Sequence, residues 1–230
     1  MRACSALAIL LVTLTFSACG KSTPSPGSTP ASVAAPASSS PAASESAAVA
    51  PAALPKITEI KKVDAAGFTL GEYLPPLDGG KIEIAVPDGW NVMPRDSKYV
   101  VRFSSLQSGG GLPRIDVVVE EKNLGDLTDV SVANVADFAA AVARDLEANA
   151  TAVIEPPIPM VIGSVACARY VSHLKLKIGE GTFLVERQTI ELLHAGRRYK
   201  INLLVEREKV ADSRDAAYAL CSSVRFPASE

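Results

Sequence analysis

The chain has 230 residues, 48% of them apolar and only 5% aromatic, with 23 basic and 25 acidic side chains and a formal net charge of -2. Four cysteines in such a length exclude a miniprotein built on disulfides, and interspersed charge without a long basic block excludes dedicated nucleic-acid binding. Acidic substrates stay open, because a small local basic site is compatible with this balance.

The chain opens MRACSALAILLVTLTFSACGK: one positive charge at Arg2, an apolar run from Leu7 to Val12, then small residues before Cys19. That order predicts an export signal over residues 1–18. The apolar run is far short of the roughly 20 residues a membrane-spanning helix needs, so cleavage is expected. Phe16-Ser17-Ala18-Cys19 resembles the lipobox of bacterial lipoproteins, with Phe16 where Leu is commoner. The resemblance implies that Cys19 is diacylated on sulfur, becomes the new N-terminus and receives a further acyl chain in many Gram-negative bacteria, which suffices for stable anchoring. Gly20, rather than the Asp that resembles an inner-membrane retention signal, implies placement at the outer membrane, facing the periplasm. A cleaved signal without lipid is the alternative, and the mass of the mature N-terminus separates the two.

Residues 20–55 hold 11 Ala, 9 Ser and 7 Pro, with Lys21 and Glu45 the only charges. Repeated Pro prevents a continuous helix or central strand, and Ala and Ser offer too little apolar surface to order a core. With Cys19 this tract reads as a disordered spacer, 36 residues of which reach roughly 110 Å in extended polyproline conformation. Residues 56–230 remain as one domain of ordinary size.

Short extended segments are expected at Ile57 to Val63 and Phe68 to Leu74, followed by a punctuated loop through Pro75-Pro76 and Gly79-Gly80. Ile82, Ile84 and Val86 alternate as a strand face, ended by Pro87-Asp88-Gly89-Trp90; a loop then leads to a strand at Tyr99 to Phe103. Arg114 to Glu120 alternates again. Between Asn134 and Asn149 the period becomes helical: Asn134 is placed to cap, and Val135, Phe138, Ala139, Val142 and Leu146 form a packing stripe. Ile158 to Ile162, after Pro156-Pro157, reads as a short edge strand. Long strands follow at Val165 to Ile178, Thr182 to Leu193 and Tyr199 to Glu206, joined by turns around Gly179-Glu180-Gly181 and Ala195-Gly196-Arg197, so antiparallel neighbours are expected. A helix over Asp212 to Ser223, capped by Asp212, and a short Val224-Arg225-Phe226 extension close the chain. The whole predicts an α/β fold: a curved antiparallel sheet covered by helices in an α/β/α sandwich.

Ile82-Glu83-Ile84-Ala85-Val86-Pro87-Asp88-Gly89-Trp90, the Tyr99 to Phe103 strand and Ala217-Tyr218-Ala219-Leu220-Cys221-Ser222-Ser223-Val224-Arg225-Phe226 resemble landmarks of the PsbP-like superfamily. The resemblance implies an antiparallel sheet covered by helices over about residues 78–226. It carries no catalytic residues onto this chain.

Cys4 would leave with the signal and Cys19 would carry lipid, so Cys167 and Cys221 are the domain's own thiols and its candidate disulfide; two buried free thiols are the alternative. They lack the local Cys-X-X-Cys spacing of a redox pair. His173 and His194 belong to no metal-ligand cluster, there is no Gly-X-Ser-X-Gly elbow, and Gly109-Gly110-Gly111 lacks the Lys-Ser/Thr ending of a phosphate loop. No catalytic residue, metal or cofactor is assigned. Trp90, with the basic cluster Arg197, Arg198 and Lys200 beside a turn, is the candidate interaction surface. The reading is a noncatalytic envelope lipoprotein: a tethered accessory or protein-interaction domain, joined to the membrane by its N-terminal lipid and to an unidentified envelope protein. The alternatives are a small-ligand-binding lipoprotein and, behind it, a cryptic hydrolase.

Overall fold

The computed structural model describes residues 54–108, 111–122, 124–178 and 181–227. The export signal, Cys19, nearly all of the spacer, Gly109-Gly110 and the Gly179-Glu180 turn lie outside the described residues. In chain order the elements are β1 (Lys61–Val63), β2 (Leu70–Tyr73), β3 (Ala85–Pro87), β4 (Trp90–Val92), β5 (Val101–Ser105), β6 (Arg114–Glu120), α1 (Val135–Ala148), β7 (Val153–Ile162), β8 (Val165–Ile178), β9 (Gly181–His194), β10 (Arg197–Glu206) and α2 (Val210–Ser222). Among them, eight strands form one sheet in the order β1-β7-β8-β9-β10-β6-β5-β4, and β2 pairs with β3 separately.

The α/β/α sandwich expected from the sequence is present, with the helices on opposite faces. Along β8 the side chains alternate: Cys167 and Val171 join a large apolar cluster with Ala217, Leu220 and Cys221 of α2, while Ala168 and Tyr170 join a smaller one with Phe138, Val142 and Leu146 of α1. Phe103, Ile115, Ile190, Leu192 and Ile201 fill the α2 side and are fully buried or nearly so. The helical stripe of α1 is buried throughout, which is what orders a segment of this length.

Four sequence expectations need correction. The sheet is mixed, not wholly antiparallel, because β1 runs parallel to β7 with Lys61 opposite Met160. β7 is longer than expected and lies inside the sheet; Pro156 and Pro157 fall where the pairing to β8 slips between Glu155 and Ile158, so no ladder N–H is demanded of them. Trp90 starts a strand, opposite Ser105, where a turn was expected to continue into a loop. Neither helix is capped as expected. Asn134 precedes α1, but its Oδ1 accepts from the Ser131 N–H at 2.7 Å and its Nδ2 donates to the Asp129 carbonyl. α2 starts at Val210 after Lys209, which leaves Asp212 in the first turn, where its negative charge still suits the helix dipole. The β9–β10 turn is Ala195-Gly196, both with positive φ (49° and 72°), the backbone of a two-residue hairpin turn matched to sheet twist.

Candidate functional site

The residues grouped at the sequence level occupy two ends of β10. Trp90 sits beside Val205, whereas Arg197 opens the strand, eight residues or about 26 Å away at strand rise. Alternation divides the basic cluster further: Arg197 and Tyr199 face one side of the sheet, Arg198 and Lys200 the other.

At the Arg197 end, the guanidinium grips Asp78 in a two-pronged bond, Nε to Oδ2 and Nη2 to Oδ1, each 3.0 Å. The Tyr199 hydroxyl donates to the same Oδ2 at 3.0 Å. Asp78 is held at a φ of 51° in the loop before β3, so these bonds fasten that loop to the sheet. His194 stacks on Phe226 with ring centroids 4.2 Å apart, and its Nδ1 lies 3.0 Å from Asp129 Oδ1. The Ala195 N–H donates to that carboxylate at 2.9 Å and, as the largest cause, holds the Asp129 pKa below its usual range. His194, Ala195, Arg197 and Tyr199 border an open hollow of about 820 Å³.

Burial, and then the bond to Asp78, push the Tyr199 pKa up to about 12 from an ordinary 10. Below pH 10 both folded and unfolded chains keep this proton; as pH rises from about 10 to about 12 only the unfolded chain releases it, so Tyr199's contribution to stability is lost across that window. Tyr199→Phe should remove this component. Urea unfolding from pH 9 to 12 would show wild type losing stability more steeply than the variant; parallel curves would refute the assignment.

On the other face Arg198 is fully buried. Its Nε meets Glu191 at 2.5 Å and its Nη1 meets Asp145 of α1 at 2.7 Å. Tyr170 donates to Glu191 at 2.9 Å, Lys200 reaches Glu120 at 2.7 Å and Glu191 at 3.5 Å, and Lys122 closes on Asp145 at 2.5 Å. Burial alone would lower the Arg198 pKa, but Glu191 and Asp145 outweigh it and raise it. Burial likewise opposes the Asp145 charge, yet Lys122 and Arg198 bring its pKa below the ordinary value. Arg198 thus ties helix to sheet, and its guanidinium is not presented to solvent.

At the far end of β10, Trp90 forms one wall of a cleft of about 500 Å³, with Leu112, Val205, Lys209, Asp212 and Ser213 among its lining. Strand β4 brings the indole, loop 106–113 brings Leu112, and the first turn of α2 brings the charges. Neither histidine lines this cleft: His173 lies on β8, 4.0 Å from Glu186. Among the described residues no group of three His, Cys, Asp or Glu is placed to hold a metal.

Cys167 and Cys221, fully buried, come together between β8 and α2 as two thiols. Hydrogen bonding with Cys221, and then burial, push the Cys167 thiol well above its ordinary pKa.

This geometry defines an α/β sandwich with a mixed eight-stranded sheet. No family model matches the sequence, and no curated protein matches it. Similar solved structures include a protein of Bacteroides thetaiotaomicron (10% identity, TM-score 0.45, covering 70% of this chain and 50% of that one). They also include the cyanobacterial PsbP of Synechocystis (14%, 0.40, covering 70% and 95%) and LpqN, involved in cell envelope biogenesis of Mycobacterium tuberculosis (14%, 0.40, covering 72% and 89%). The chain spans about half the length of the first of these. At these values the likeness carries no inference about activity or partner.

Proposed function

We propose that the chain is an envelope lipoprotein, anchored through acylated Cys19 and held off the membrane by its Ala/Ser/Pro tract, whose folded domain acts without catalysis as an accessory or interaction module. The anchor rests on the charge, hydrophobic run and small residues that precede Cys19. The interaction role rests on one observation above all: the cleft at Trp90. A large, half-buried amphipathic ring beside mixed charges and hydroxyls suits recognition of a protein surface, where Trp is a frequent energetic anchor. Arg197, Arg198 and Lys200 instead spend their charge on internal carboxylates, so Trp90 carries the surface role in this reading.

The test places a photo-crosslinking residue at Gln107, on the cleft rim, in the full chain on intact cells. A specific adduct with an envelope protein is expected, and Trp90→Ala should reduce its yield about tenfold or more, the scale of a binding hot spot. A yield untouched by Trp90→Ala, in a variant whose thermal midpoint shows it folded, would refute the cleft as the contact. Separately, a mature N-terminal peptide without acyl mass on Cys19 would refute the anchor.

A further inference from the structure

Helix α1 packs over β7 and β8 and over the Leu193 and Arg198 ends of β9 and β10, so among the described residues no helix covers the Arg187 and Leu204 ends of those strands on that side. On this side of the sheet the register sets Ser172, Arg187, Leu204, Arg114 and Ser104 in a single row across five strands, each opposite the next. Strand spacing places the Arg187 and Arg114 backbones about 10 Å apart, with buried Leu204 between them. Nε of Arg187, Nε of Arg114 and the hydroxyl of fully buried Ser172 are all shielded from solvent and have no hydrogen-bond partner. A buried donor without an acceptor is destabilising, and three on one row call for an outside acceptor.

The protein does not supply enough negative charge here. Asp116 lies 3.5 Å from Arg114 but is already gripped by Arg102 through two bonds, at 2.5 and 2.8 Å. Burial, the main cause, lowers the Arg114 pKa, as befits a cation short of counter-charge.

One step further along the same face the chemistry changes. Leu112, Phe183, Leu184 and Val185, with Glu206 and Arg207, line an open hollow of about 280 Å³. Phe183 and Leu184 are 52% and 46% exposed, because β8 and β9 extend beyond β10 there as a two-stranded arm: Val185 opposite Glu206 is the last pair with the sheet.

We propose that this face binds an amphiphilic oxyanion, with a phosphate-type head accepted by Arg187, Arg114 and Ser172 and an apolar chain lying against Leu112, Phe183 and Val185. Two guanidiniums and a hydroxyl offer donors from separate directions, which a tetrahedral head satisfies better than a planar carboxylate. The Glu206 carboxylate at the hollow repels the head and sets the direction in which the molecule lies. Leu112 and Glu206 border both this hollow and the Trp90 cleft, but Arg187, Arg114 and Ser172 do not line that cleft, and the proposal does not rest on the protein-contact reading.

The test uses the full chain in phosphatidylcholine nanodiscs, titrated with octyl phosphate by calorimetry. One saturable site is expected, with inorganic phosphate and octanol each binding about tenfold or more weakly. R187Q and the double variant R114Q/R187Q should lose about tenfold or more in octyl phosphate affinity, and F183S should weaken octyl phosphate without changing inorganic phosphate. R187Q alone decides if the double variant does not fold, because its removal strands no carboxylate. Adding phosphatidylglycerol to the discs distinguishes sources. Competition assigns the head to a bilayer lipid, its absence assigns a free amphiphile, and both support the site. Absence of saturable octyl phosphate binding, or equal binding by wild type and R187Q, overturns the proposal; W90A should leave the binding unchanged.

Discussion

Arg198→Met is expected to destabilise the fold by about 3–5 kcal/mol, the scale for removing one partner of a buried ion pair. The reason is the company Arg198 keeps. Fully buried Glu191 loses its nearest cation and keeps only Lys200 at 3.5 Å, while the largely buried Asp145 loses one of its two cations and keeps Lys122 at 2.5 Å. For a domain of this size the thermal midpoint should fall on the order of 10 °C. The double variant R198M/E191M removes the central charge pair together and should recover at least half of the loss. A single variant within about 1 kcal/mol of wild type would mean that water or Lys200 replaces the guanidinium. Acid offers a second readout. Because the folded Asp145 pKa lies below its unfolded value of 3.8, its contribution is present above that value and fades as pH falls through the folded pKa.

The second large effect concerns Cys167 and Cys221. If the chain is exported, an oxidising compartment can remove two electrons and two protons from this adjacent pair, joining β8 to the C-terminal half of α2. Closing a loop of 54 residues stabilises by about 4 kcal/mol at most in the chain-entropy account. Nonreducing peptide mapping of protein taken from the envelope should recover the linked peptide, and C167A/C221A should unfold at lower urea concentration than the oxidised wild type. Recovery of both cysteines as alkylated thiols would show that the pair stays reduced.

The fold was legible wherever the pattern was long and regular. β6, β8, β9 and β10 alternate over many residues, and the stripe from Val135 to Leu146 has one period throughout. Misreadings fell on short or interrupted segments. Trp90 to Val92 is three residues and rides on its pairing with β5, while Pro156-Pro157 conceals a strand that tolerates them only at a slip in register. The parallel pairing of β1 depends on a contact about 100 residues distant, which local patterns do not report.

The candidate site illustrates the same limit from the other side. Arg197, Arg198 and Lys200 look like one patch because they are neighbours in sequence, yet the period of two had already assigned them to different faces. Arg114 and Arg187 look unrelated, being 73 residues apart, and only the order of strands sets them in one row.

The position of β1 has a mechanical consequence. A pull arriving from the N-terminal side first meets Leu54, which packs on the α1 cluster and donates its N–H to Glu147, and then this strand, whose three residues rest on β7 at one edge. It can peel away while the seven remaining strands stay paired around both apolar clusters. If the chain is tethered as proposed, tension would be absorbed by a brief detachment at the margin, and re-docking would need the Leu54 contact and the few β1 bonds to re-form.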